Sequence, residues 1–545
     1  MPRAIREEYL DLHRLENIRM LTERAASRWG PKIGLVFDEF DRGLSFREIH
    51  EWSDRYAFVL QGLGVQPGDR IGIMLRNRPE FPLMWLAIGK VGATMVPINV
   101  YYKEFDAKYL IEHSELSVVV TSSEFVPLLK GIRNQVRTFR QIISVDGSGD
   151  DSVLNLGRLL RQAAPCPPVA VHSDFVLNIQ YTSGTTGRPK GCLLSQGYWF
   201  QIARVNILQP SPGIHESDVM LTAQPFYYID PQWNLITALA SGARLVVLDR
   251  FHPGTFWEKV RKHEVTYFYC LGVMPLLMLK TPENPEDRNN KVRYVACSAI
   301  PRHLHRELER RWGAPWYETF GMTEIGQGTY VPEEEHDLLV GTGCIGRPVM
   351  NREVRILGED GRVLPRGQVG ELVFRGTDLM DGYFKDPEAT KESFRTGFFH
   401  TGDLAYMTED GRIYYVGRKK DMIRRSGENI SASEVEDALK LHPSVRNVAV
   451  VAVPDDLRGE EVKAYIVPRD PDFDRRELVE ELIRFCQDHL AYFKIPRYWE
   501  FRASLPLTPS EKVAKHELIR QAKDLRANSY DRVDQIWREG VADES

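Results

Sequence analysis

Tyr181-Thr182-Ser183-Gly184-Thr185-Thr186-Gly187-Arg188-Pro189-Lys190-Gly191 is the stretch on which the reading of this chain turns. It follows an apolar stretch, Phe175–Ile179. Small and hydroxylated residues fill its first half, glycines punctuate it, and a lysine comes late. Glycine lets backbone N–H groups converge, hydroxyls donate further hydrogen bonds, and lysine adds a mobile positive charge, so the segment suits an anion. It does not fit a Walker A loop, which needs four residues between Gly and Gly-Lys. A Ser/Thr/Gly surface turn has the same composition, so composition alone leaves both readings open.

On either side of this loop, helix patterns alternate with short β-branched runs. Ser45-Phe46-Arg47-Glu48 is a capping box that opens a helix through about Leu63. Ile71–Leu75, Ser117–Thr121, Leu245–Leu248 and Tyr267–Tyr269 read as buried strands separated by helices. Phe81–Val100 is broken by Pro82, Lys90 and Pro97, so it reads as a buried helix running into a strand, not as a membrane span. After about Gly341 the texture changes to short strands, Glu353–Leu357, Glu371–Phe374 and Arg412–Val416, set between Gly-rich turns. A basic cluster, Gly417-Arg418-Lys419-Lys420-Asp421, precedes a helix pattern at Ser433–His442, strands at Val445–Val453 and Val462–Val467, and a helix at Arg475–His489. The expected fold is α/β, with a large N-terminal domain of layered α/β sheets plus a small β region, residues 1–419. A small α+β C-terminal domain, residues 420–545, follows it. The polar tail after about Ala527 is expected to end as a surface helix or to fray.

The chain has 545 residues, 43% hydrophobic and 27% charged, enough for a large core and two to four domains. Its formal net charge is −5, without the basic surplus that nucleic-acid binding requires. The six cysteines, Cys166, Cys192, Cys270, Cys297, Cys344 and Cys486, form no CxxC pair. That spacing speaks against a zinc site or a disulfide framework and for a reducing compartment. The charged N-terminus leads into no apolar core, so no signal peptide is expected and the cytoplasm is the default.

The opening loop resembles the signature loop of the adenylate-forming superfamily, which contains acyl-CoA synthetases, adenylation domains of peptide synthetases and firefly-type luciferases. Other segments resemble that family in the same order. Tyr317-Glu318-Thr319-Phe320-Gly321-Met322-Thr323-Glu324 is similar to its adenine and magnesium segment, and Thr401-Gly402-Asp403 to its ribose segment. Gly417–Asp421 is similar to its hinge, and Pro506-Leu507-Thr508-Pro509-Ser510-Glu511-Lys512 to its catalytic-lysine segment. The resemblance implies ATP, Mg2+ and coenzyme A as cosubstrates and cofactor, and a mobile C-terminal domain.

Carried onto this chain, it implies that Thr182, Ser183, Gly184, Thr185, Thr186, Gly187 and Lys190 hold the β- and γ-phosphates. Glu324 coordinates magnesium and Thr323 touches the α-phosphate. Phe320 stacks on adenine where many members carry Tyr, beside Gly321 and Met322, with Ser298 and Ala299 on the other side of the purine. Asp403 accepts from the ribose hydroxyls with Arg418 nearby. Lys420 is the hinge, and Ser426, Gly427 and Glu428 shape the coenzyme A tunnel. Lys512 reaches the substrate carboxylate and α-phosphate; Glu511 stands before it where the family has Gly, and Lys515 is the fallback.

The whole chain most resembles the carnitine/crotonobetaine-CoA ligase subgroup, notably in Val96-Pro97-Ile98-Asn99 and Asp230. Tyr227, Tyr228, Asp230 and Trp233 fall where the family builds its acid pocket, with Tyr228 where many relatives have His. An Asp among aromatic rings can cage a quaternary ammonium. Asp230-Pro231 is equally a good helix start, with Asp as N-cap, and fatty or aryl acids remain open. The expected partner is a small carboxylic acid, with no nucleic acid and no membrane span; a homodimer is compatible with the chain. The competing readings are an adenylation enzyme that loads a carrier-protein thiol, a non-catalytic binding protein, and an oxygenase of the luciferase kind.

Overall fold

A computed structural model describes residues 7–182, 189–209, 212–271, 274–426, 428–508 and 513–539. Two large, mostly parallel sheets make up its first part. One has seven strands in the order Trp316–Glu318, Tyr294–Ser298, Tyr267–Leu271, Val219–Thr222, Arg244–Val247, Ile33–Phe37 and Arg42–Ser45. The other has eight: Gly382–Tyr383, Lys190–Ser195, Val176–Thr182, Thr94–Pro97, Arg70–Met74, Val118–Thr121, Gln141–Ser144 and Leu154–Asn155. Strand Val118–Thr121 is β-branched and buried throughout, which is the pattern of a parallel sheet covered on both faces.

Helices Glu80–Lys90, Gln196–Leu208 and Ile229–Ser241 are buried almost throughout. Trp85 meets Trp199 edge to face, with ring centroids 4.8 Å apart. A polar chain crosses the same core: Trp85 Nε1 donates to Asn178 Oδ1 at 2.8 Å, and Asn178 Nδ2 donates to Gln232 Oε1 at 2.7 Å. Gln232 Nε2 in turn donates to the Phe226 carbonyl at 2.8 Å, which ties the start of helix Ile229–Ser241 to the eight-stranded sheet. Buried amides paired in this way cost little and fix one arrangement of the layers. The capping box forms as the sequence implies: Glu48 N–H donates to Ser45 Oγ at 3.2 Å and Ser45 N–H to Glu48 Oε2 at 2.8 Å, opening helix Phe46–Gly62.

A six-stranded antiparallel sheet follows, in the order Thr329–Tyr330, Cys344–Pro348, Ile413–Arg418, Phe399–Met407, Gly370–Gly376 and Arg352–Leu357. It ends at Arg418. A single helical turn, Lys419–Asp421, leads into Met422–Arg425, which belongs to a separate seven-stranded sheet with its own apolar core around Val435, Val450, Ile466 and Leu482.

The tail departs from expectation. Ser529–Asp531 and Ile536–Arg538 are strands that extend this last sheet beyond Tyr498–Phe501, not a surface helix. Ser529 and Asp531 are fully buried, and Asp531 accepts from Arg497 and Arg538. Paired charges let a polar segment enter the sheet, and hydropathy alone hides that. All six cysteines are buried free thiols. Among the described residues, no helix is long and apolar enough to cross a membrane.

Candidate active site

Val176–Thr182 and Lys190–Ser195 run antiparallel, with Thr182 in register with Lys190. The phosphate-loop segment therefore joins two strands of a hairpin. Its predicted residues Ser183, Gly184, Thr185, Thr186 and Gly187 lie outside the described residues; Thr182 and Lys190 mark its two ends.

Lys190 Nζ lies 5.1 Å from the centre of the Tyr383 ring, within cation–π range. The Tyr383 hydroxyl donates to Glu324 Oε1 at 3.2 Å. Residues far apart in sequence, 190, 324 and 383, thus meet at one point. Gly321–Met322 pairs with Gly326–Gln327, so Thr323 and Glu324 sit in the short turn between them. Gly326 closes that turn at φ +69°, in the left-handed region that glycine favours. Glu324 is 8% exposed, and burial raises its carboxyl above the ordinary value, against the opposing pull of hydrogen bonds and of Arg418. A desolvated carboxylate of this kind is offset best by a cation, and its oxygen donors suit a hard divalent one.

Asp403 is fully buried on strand Phe399–Met407, in register with Arg418. Arg418 Nε pairs with Asp403 Oδ1 at 2.9 Å, and the Tyr415 hydroxyl donates to the same oxygen at 3.3 Å. Phe320 stacks on Phe374 with centroids 5.8 Å apart and planes 4° from parallel. Ala299 holds φ +64°, unusual for a residue with a side chain. Glu318 clamps that turn, its carboxylate accepting from Ala299 N–H at 2.8 Å and Ile300 N–H at 3.0 Å. Burial pushes the Glu318 carboxyl up to about 8. Ser298 Oγ donates to the Thr319 carbonyl at 3.0 Å and meets the Tyr269 hydroxyl at 2.8 Å.

Next to this segment opens a cavity whose wall includes Asp230, Trp233, Tyr267, Tyr269, Tyr294 and Ser298. Of the four residues expected in an acid pocket, Asp230 and Trp233 line it. Tyr227 and Tyr228 do not; their rings pack on each other 4.8 Å apart, and the Tyr228 hydroxyl accepts from Asn99 Nδ2 at 3.4 Å. The helix beside them begins two residues earlier than the Asp-Pro signal implies. It spans Ile229–Ser241 with Tyr228 as N-cap, which leaves Asp230 inside the first turn instead of capping it. An acid there complements the helix dipole. Tyr267 and Tyr294 on the cavity wall come from adjacent parallel strands, where they are in register.

Lys420 is exposed, while its neighbour Lys419 pairs with Glu371 at 2.9 Å. Met422–Arg425 and Glu428–Ser431 form a hairpin in which Arg425 faces Glu428. Ser426 adopts φ +51° at its turn, donates its N–H to the Arg458 carbonyl at 2.8 Å, and precedes an exposed Glu428; Gly427 lies outside the described residues. Lys512 and Glu511 also lie outside them. Leu507 bridges Val513 across that segment. Lys515, the fallback lysine, is already paired with Glu436 at 2.8 Å.

Fold and site together define an adenylate-forming enzyme. The chain belongs to the AMP-binding enzyme family, which matches residues 22–384, and the C-terminal domain of the same family matches residues 434–512. The crotonobetaine/carnitine–CoA ligase of Salmonella typhi is 32% identical over 529 residues, covering 92% of this chain and 99% of the relative. Among solved structures, the o-succinylbenzoate CoA synthetase of Bacillus subtilis, in complex with its acyl-adenylate intermediate, matches with a TM-score of 0.80 and 28% identity over 94% of this chain and 99% of that one. The same enzyme with ATP and magnesium ion matches with a TM-score of 0.79 and 28% identity over 93% and 99%.

Proposed function

We propose that this chain is an ATP-dependent acyl-CoA ligase in which residues 1–419 bind ATP and the acid, and residues 420–545 carry Lys512 and rotate at Lys420 between two half-reactions. The observation that carries the reading is the meeting of Lys190 and Glu324 on Tyr383, with Arg418, the partner of Asp403, near enough to act on the Glu324 carboxyl. A carboxylate cannot expel oxide, so its oxygen attacks the α-phosphorus of ATP and pyrophosphate leaves. The thiol of coenzyme A then attacks the acyl carbonyl, loses its proton and displaces AMP. Both steps bring anions together, so fixed positive charge and positioning dominate catalysis.

In this reading Thr182, Lys190 and the loop between them hold the β- and γ-phosphates, and Asp403 holds the ribose. Glu324, with Thr323 beside it, would hold Mg2+, which when bound neutralises phosphate charge. Lys512 supplies charge at the reacting carboxylate. Ser426, Gly427 and Glu428 border the coenzyme A path. The protein acts in the cytosol, a compartment that six buried, unpaired thiols suit.

The acid enters the cavity at Asp230. A carboxylate ringed by Trp233, Tyr267, Tyr269 and Tyr294 favours a short acid with a cationic head, the chemistry named in the Salmonella relative. Thioester formation with carnitine, crotonobetaine and betaine, set against neutral acids of the same shape, tests this. Faster turnover of the cationic acids is expected. If all three fail while a neutral acid is consumed, the cationic reading is wrong and the ligase reading stands.

A further inference from the structure

Gly382–Tyr383 is a strand of only two residues, yet it is held firmly at the edge of the eight-stranded sheet. Tyr383 is in register with Cys192. On either side, Asp381 N–H donates to the Leu193 carbonyl at 2.9 Å and Phe384 N–H to the Gly191 carbonyl at 2.7 Å. Tyr383 N–H donates to Thr390 Oγ1 at 2.9 Å. The same segment grips the turn that bears Glu324 twice: Met380 N–H donates to the Glu324 carbonyl at 2.9 Å, and the Tyr383 hydroxyl donates to its carboxylate at 3.2 Å. Lys190 Nζ meets the ring of the same tyrosine at 5.1 Å.

We propose that Tyr383 is a positioning residue for nucleotide loading: its hydroxyl orients the Glu324 carboxylate toward the metal, and its ring face keeps the Lys190 ammonium beside the phosphate hairpin. The proposal rests on the reading above that Glu324 holds the cation and Lys190 the phosphates. Physically, a phenol on Oε1 fixes the carboxylate torsion, with the Cys192 thiol beside the same carboxyl. The ring separates two opposite charges that would otherwise pair directly and compete with both ligands. A cation over an aromatic face is held less tightly than in a salt bridge, so Lys190 is released readily to a phosphate.

The test uses the full chain and reads binding instead of turnover: calorimetric affinity for ATP in EDTA, and then across a Mg2+ titration. Tyr383→Phe keeps the ring and removes the hydroxyl. It should leave ATP affinity in EDTA unchanged and raise the Mg2+ concentration needed for half of the metal effect about tenfold, as expected for losing a hydrogen bond to a charged group. Tyr383→Leu should in addition weaken ATP binding in EDTA about threefold. Glu324→Gln is the reference. If Glu324→Gln shifts the Mg2+ requirement and Tyr383→Phe does not, the proposal is overturned while the site reading survives. If Glu324→Gln shifts nothing, the site reading fails and the proposal with it. An equal loss for Tyr383→Phe in EDTA and in Mg2+ marks a merely structural tyrosine and also overturns the proposal.

Discussion

Asp403→Asn is the substitution whose outcome follows most directly from the geometry. The carboxylate is fully buried, with Arg418 at 2.9 Å and the Tyr415 hydroxyl at 3.3 Å on one oxygen. A hydrogen bond from a ribose hydroxyl to a carboxylate contributes about 1.5–3 kcal/mol, so the native enzyme should use ATP about 10- to 100-fold better than 2′-deoxy-ATP or 3′-deoxy-ATP. Asparagine is isosteric but neutral, and a neutral hydrogen bond contributes about 1 kcal/mol, so the ratio should fall to about fivefold. Folding should survive. The Arg418 side chain is 39% exposed, so water rehydrates its charge and the stability loss stays near 1–2 kcal/mol, below the cost of stranding a buried ion. The assay is kcat/KM for acid-dependent pyrophosphate release with each nucleotide, alongside a thermal melt. A variant that folds normally and keeps the native discrimination between ATP and its deoxy analogues refutes the assignment of Asp403 to the ribose.

Three further outcomes are expected. Asp230→Asn should cut kcat/KM for a cationic acid about tenfold while leaving a neutral isostere within twofold; equal effects on both would show that Asp230 does not read charge. Lys512→Ala should lose acid-dependent pyrophosphate release far more than thioester formation from a supplied acyl-adenylate, and equal losses would count against a role confined to the first half-reaction. Glu309 accepts from His336 Nε2 at 2.9 Å and from Trp316 N–H at 2.8 Å, bracing the strand that leads to Glu318. Burial acts to raise its carboxyl, but these bonds outweigh it and hold the group at about 2, below the ordinary 4.5. A depressed acid stabilises the fold above about pH 4.5 and loses that contribution as pH falls toward 2. Urea unfolding at pH 7 and pH 3 should therefore show Glu309→Gln less stable than the native protein by about 1–3 kcal/mol at pH 7 and by roughly half of that at pH 3, where the native carboxylate is still mostly ionised.

The capping box and the alternation of strands and helices could be read from the chain because each is a local pattern with a physical requirement of its own, and the ordered run of segments from Tyr181 to Lys512 by its resemblance to the family. Tyr383 could not. It lies on a strand of two residues, and its importance arises from pairing with Lys190–Ser195 and from contact with Glu324, both distant in sequence. Tyr267, Tyr269 and Tyr294 read as strand residues; their common face toward the cavity becomes visible only once the register of neighbouring parallel strands is known. Asp230 lines the cavity, but the helix starts two residues before the Asp-Pro signal, because tertiary packing of Tyr228 and Ile229 overrides it. The polar tail was missed for the same reason as Tyr383: the charges of Arg497 and Arg538 that admit Asp531 to the sheet are not adjacent to it in the pattern.

The central claim is that one protein performs two linked steps, adenylation and then transfer to coenzyme A. The measurement that tests it most directly follows pyrophosphate and AMP together while ATP, Mg2+, a panel of short acids and coenzyme A are added in turn. The account predicts that one acid releases pyrophosphate without coenzyme A, at most once per active site, and that coenzyme A then releases AMP and acyl-CoA in equal amounts. Sustained release of AMP that ignores coenzyme A, or no acid-dependent pyrophosphate with any member of the panel, would contradict it.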